Sequence, residues 1–138
     1  MSRRDERGSA SVFIVGMAIT LVVVAGLVFD GGGALNARMR LADDVEAAAV
    51  AGAQATDEIY AHTDHKFRID ADEAKDRAEA AMQGQGYSSN EYQVYVPIDG
   101  SFVRVTGTDT IDTKMLSLIG FNSFEVHATA TAQPGIPD

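Results

Sequence analysis

The 138 residues contain no cysteine, no tryptophan and only three prolines. Without cysteine, neither a disulfide framework nor a thiolate metal site can be built. Basic residues are scarce after the first few positions. From Asp30 onward 8 Lys and Arg stand against 18 Asp and Glu, a net charge of −10, while the first eight residues carry +1. That balance argues against nucleic acid as a partner, because binding a polyphosphate rests on Lys and Arg neutralising phosphates and no basic stripe exists. The surplus of carboxylates reads as a solvated, soluble surface or as a surface for a partner or cation. The most informative absence is charge itself: from Ser9 to Phe29, SASVFIVGMAITLVVVAGLVF, twenty-one residues carry none.

As a helix this segment spans roughly 31 Å, about the thickness of a bilayer's hydrocarbon core. It is expected to be a transmembrane helix. A cleaved signal peptide would have an apolar stretch of only about 7–15 residues followed by a small-residue cleavage site; here the stretch is longer and no Ala-x-Ala site precedes Asp30. Arg3, Arg4 and Arg7 lie before the segment, and no Lys or Arg follows until Arg38 and Arg40. The N-terminus is therefore expected inside. Residues 1–8 read as a cytoplasmic tail, 9–29 as the span, 30–56 as a helical stalk and 57–138 as an extracytoplasmic head.

The stalk sequence ALNARMRLADDVEAAAVAGAQAT is alanine-rich and lacks proline, which favours helix. Leu35, Met39, Ala42, Val45, Ala49 and Gly52 recur at spacings of three and four, one helical face. Gly31, Gly32 and Gly33 either form a hinge or are carried within one helix, Ser9 to Thr56, about 70 Å long. A polar loop, DEIYAHTDHKFRI, precedes a second helix with Asp70 as cap, Glu73 in capping-box position and Gly84 as stop. Its Ala71, Ala74, Ala78 and Ala81 form a small-residue face suited to packing on the stalk.

Beyond Gly86 the period falls to two. Tyr92, Val94 and Val96 alternate with polar neighbours, Pro97 to Gly100 reads as a turn, and Phe102 to Thr108 as a second strand. Thr113 to Ile119 reads as a short helix between Asp112 as cap and Gly120 as stop. In the last strand, Phe124 to Ala132, Phe124, Val126, Ala128 and Ala130 share one face, and His127 lies on the polar one. The fold class is α+β: a long N-terminal helix, then a small head with one packed helix and about three antiparallel strands.

Arg7-Gly8 before the apolar stretch, Gly26 and Asp30 near its end, and Asp44 followed by Ala47 to Ala53 together resemble the N-terminal region of TadE/TadG-like proteins of the tight-adherence (Flp) pilus system. Val103 to Gln133 is similar to their ending: strand, short helix, Gly, strand, Ala-Thr-Ala. The resemblance implies a bacterial envelope protein, a minor pilin-like or assembly component whose partners are the membrane, other pilus subunits and assembly-platform proteins. Pilins cut by a prepilin peptidase carry a glutamate five residues after the cleaved glycine. Counting from Gly8, that place is held by Phe13, so cleavage between Gly8 and Ser9 is not expected and the TadG-like branch fits better. No buried carboxylate is then available to pair with a neighbouring subunit in lipid.

Contacts are expected from small residues. Gly16 and Thr20 form a small-x-x-x-small pair, with Gly26 further along. Ala48, Ala49 and Gly52 offer a patch for a partner helix or for the head, and Asp30 marks the membrane interface or a subunit contact. His62 and His65, with Asp57, Glu58 and Asp64 nearby, lack a third convergent ligand, so no metal is expected. Gly31 to Gly33 follow no strand and precede no Lys-Ser/Thr, so the phosphate cradle is missing, and no serine sits in a nucleophile elbow. No catalytic residue and no cofactor are expected. The alternative reading is a membrane-tethered module whose acidic head takes a cation or extracellular ligand.

Overall fold

The computed structural model describes residues 5–55 and 68–134. Helix α1, Asp5–Ala53, is continuous and passes straight through Gly31, Gly32 and Gly33. Three glycines cost up to about 1 kcal/mol each relative to Ala, but alanine-rich, proline-free helix follows them and carries the hydrogen-bond ladder across. Much of the apolar stretch is bare: Val12 is 75% exposed and Phe13 70%. The helix is long and apolar enough to cross a membrane.

Helix α2, Ala71–Gly84, begins as its sequence implies, with the Asp70 carboxylate accepting from the N–H groups of Asp72 and Glu73, both at 3.0 Å. The capping box does not close: the Asp70 N–H donates to the Ala55 carbonyl at 2.9 Å, and Glu73 accepts from Arg77 one turn on at 2.5 Å. The left-handed turn after the helix falls on Gly86, φ 98°, rather than on Gly84.

Three strands follow: β1, Tyr92–Tyr95; β2, Val103–Asp112; and β3, Ser123–Ala132, in the sheet order β1-β2-β3. β1 pairs antiparallel to β2, from Tyr92 opposite Gly107 to Tyr95 opposite Arg104. The expected turn precedes β2, with the Gly100 N–H donating to the Pro97 carbonyl at 2.9 Å. β2 runs four residues beyond the expected Thr108 because β3 lies alongside after β1 has ended. Across that pair Arg104 Nε donates to Thr131, Thr106 meets Thr129 and Thr108 meets His127. Partner numbers fall as β2 advances, so this pair is antiparallel too. His127 is exposed on the polar face, as its alternation implies. The expected helix over 113–119 is a single 3-10 turn, Leu116–Ile119, stopped by Gly120 in the left-handed region at φ 96°.

The chain divides into two compact units, one of Met1–Leu35 with Ile111–Phe124 and one of Asn36–Thr110 with Glu125–Asp138. The second holds the larger core. Leu41, Val45, Ala48 and Ala49 of α1 are fully buried, as are Ala74, Ala78 and Met82 of α2 and Val103 and Val105 of β2. The expected face of α1 is shifted: Val45, Ala49 and Gly52 are inside, but Leu35 and Met39 are 60% and 61% exposed and Ala42 is exposed. Gly107 is the reason. A methyl built on it would lie 2.8 Å from both Leu41 and Val45, so the bare strand at this point admits those two side chains and fixes which side of α1 faces inward.

Candidate functional site

Within the first unit the chemistry centres on Asp30. One carboxylate oxygen accepts from the Lys114 N–H at 3.0 Å, and the other from the N–H groups of Met115 and Leu116 at 2.9 and 2.7 Å. The side chain is 6% exposed. Burial pushes its pKa up, but the three backbone donors together with the Lys114 charge outweigh this and hold it below the usual carboxylate value. Asp30 thus supplies the cap that Asp112 was expected to supply; the 3-10 turn has no side-chain bond at its own N-cap, Met115.

Gly26, one turn earlier on the same side of α1, is where the segment rests. A methyl on Gly26 would stand 3.1 Å from Met115 Cβ, so the missing side chain sets how closely the two backbones approach. The segment is also tied to itself. The Thr113 N–H donates to the Asn122 carbonyl, the Thr113 hydroxyl to Phe121, and the Phe121 N–H to Leu116.

Within the second unit, Ala48, Ala49 and Gly52 are buried, and Gly52 lies against α2 and β2. A Cβ on Gly52 would meet the Ala74 carbonyl oxygen at 2.8 Å, Val103 at 3.1 Å and Ala78 at 3.3 Å. This is the intramolecular use of the alanine patch. On the same helix Asp44 accepts a 2.9 Å hydrogen bond from the Tyr87 hydroxyl. Burial, then this bond and the charge of Asp44, push the Tyr87 phenol up to about 12.

Among the described residues nothing lies within 4 Å of a Cβ on Gly16, and the exposed Thr20 donates its hydroxyl back to the Gly16 carbonyl at 2.9 Å. Gly8 and Ser9 lie in the first turns of α1. Asp57, Glu58, His62, Asp64 and His65 fall outside the described residues. Among the described residues no group of three or more His, Asp or Glu is placed to hold a metal ion. A cleft of about 380 Å³ is lined by Lys75, Glu79, Ser89, Tyr92 and Tyr95. Its two charges face each other at 3.8 Å.

Two features escaped the sequence reading. The Asp30 cap joins residues 84 to 86 positions apart, beyond any local pattern. The Gly107 slot did carry a signal, since glycine inside an alternating strand often marks close backbone approach.

Residues 8–55 match the model of the Flp pilus-assembly TadE/G-like family. The matched stretch is α1 almost end to end, including Gly16, Gly26, Asp30, Asp44 and the Ala47 to Ala53 run. The match does not separate the TadE-like from the TadG-like branch, and the C-terminal likeness over residues 103–133 lies outside it. No curated protein and no solved structure matches the chain. The family is one of pilus assembly rather than of enzymes.

Proposed function

We propose that this chain is a minor pilin-like or assembly component of a tight-adherence pilus, held in the bacterial cytoplasmic membrane by residues 9–29 with its N-terminus inside and the remainder outside. One observation carries the reading: the family match coincides with the one helix, among the described residues, that is long and apolar enough to cross a membrane. Phe13 at the position of the pilin glutamate supports an uncut Gly8–Ser9 bond and the TadG-like branch.

The work of such a protein is packing. Association in lipid relies on close approach between small residues, and the open Gly16–Thr20 pair suits a neighbouring helix. Outside lipid, Ala48, Ala49 and Gly52 are already spent on the chain's own core. Partner contact therefore falls to the outward face of α1, where Met39 and Val50 are 61% and 45% exposed.

Deleting the gene in cells that make the pilus tests the proposal. Surface pili should fall sharply and return with the full chain. Unchanged pilus number, with unchanged adherence, would overturn it.

A further inference from the structure

The segment from Thr113 to Ser123 has more exposed apolar surface than its place between two strands calls for. Leu118 is 80% exposed, Phe121 63%, Ile119 50% and Met115 42%. A single charge, Lys114, accompanies them. Its position explains the composition. Met115 rests on Gly26, three residues inside the uncharged run, which is roughly 4.5 Å of helix rise short of Phe29.

Non-helical backbone at that depth is tolerated only where the protein satisfies its own polar groups, and most of the N–H groups of this turn have a partner within the chain. Asp30 takes the N–H groups of Lys114, Met115 and Leu116. Those of Thr113, Leu118, Gly120 and Phe121 donate to carbonyls of Asn122, Met115, Ser117 and Leu116. The Ser117 hydroxyl turns back to the Lys114 carbonyl at 2.9 Å.

We infer that the turn from Lys114 to Phe121, clamped to the end of the apolar helix by Asp30, is a second membrane contact that sinks Leu118, Ile119 and Phe121 into the lipid at the bilayer interface. Lys114 then lies at headgroup level with its stem along apolar surface. The contact resists rotation of the helix about its axis, which a lone span does not. The inference rests on the anchored reading above.

The chain has no tryptophan, so single-tryptophan variants of the full protein in lipid vesicles report depth directly. Phe121→Trp reads the turn and Phe13→Trp reads the span. Both are compared in ordinary lipid and in lipid brominated on the upper acyl carbons, with iodide added outside. The inference requires blue-shifted Phe121→Trp emission, about twofold quenched by the brominated lipid and weakly by iodide, as for a group 5–10 Å into the interface. Strong iodide quenching of Phe121→Trp beside a lipid-quenched Phe13→Trp would overturn the inference and leave the anchor standing. Failure of lipid quenching in both variants would overturn the anchored reading too. Protection of Phe121→Trp from both quenchers that disappears on dilution with excess lipid would assign the surface to a second protein chain and likewise overturn the inference.

Discussion

At residue scale, three side-chain positions carry most of what is specific to this chain. Gly52 has no room for a methyl, since the nearest obstacle is the Ala74 backbone oxygen and not a movable side-chain end. Gly52→Ala should lower stability by about 1–3 kcal/mol, the usual cost of overpacking, read as a lower melting temperature of the full chain in nanodiscs. Asp30→Ala should leave the amides of Lys114, Met115 and Leu116 fast-exchanging while the α2 amides stay protected, as measured by hydrogen exchange. In the unaltered chain the same three amides should lose protection under acid. A carboxylate held below its usual pKa contributes stability that is present at neutral pH and lost as pH falls through its folded value. Tyr87 behaves oppositely. Its contribution is complete below the ordinary tyrosine range and is lost as pH rises toward about 12, so ultraviolet titration should show one phenol ionising late, and Tyr87→Phe should remove that late phase. In the sequence, Asp30 was legible as the first charge after an apolar run, but not its partners. Three amides more than eighty residues away leave no trace in local spacing.

At element scale, the strands and α2 were readable because their signals are local. Period two marked β1 and β3, Asp70 marked the start of α2, and Gly120 marked the end of the turn. The inward side of α1 was not readable to the same degree. Leu35 and Met39 compete with Leu41 for the inward side in an alanine-rich stretch of helix, and the bare Gly107 on a distant strand makes room for Leu41 and Val45. The extension of β2 was hidden for a similar reason, since it depends on pairing with β3 and not on its own alternation. The glycine triplet left two readings open, and α1 proves continuous through it, with open space where a Cβ on Gly31, Gly32 or Gly33 would stand. Replacing all three by alanine should therefore be accommodated and should strengthen the helix by up to about 1 kcal/mol per position, seen as slower amide exchange over residues 31–35. Destabilisation by the same change would mean that the glycines serve as a joint.

At the scale of the whole molecule, one helix performs two tasks. Its first half is apolar and bare, suited to lipid; its second half gives one side to the core of the second unit and keeps Met39 and Val50 outward. In the function proposed here, this outward side meets other components of the pilus. Site-specific photocrosslinking from Met39 and Val50 in living, pilus-producing cells tests it most directly. Discrete adducts with pilus or assembly proteins are expected from both positions, and none from Ala48, which is buried. Cells in which Met39 and Val50 yield no protein adduct, although the chain is present and folded in the membrane, would contradict it.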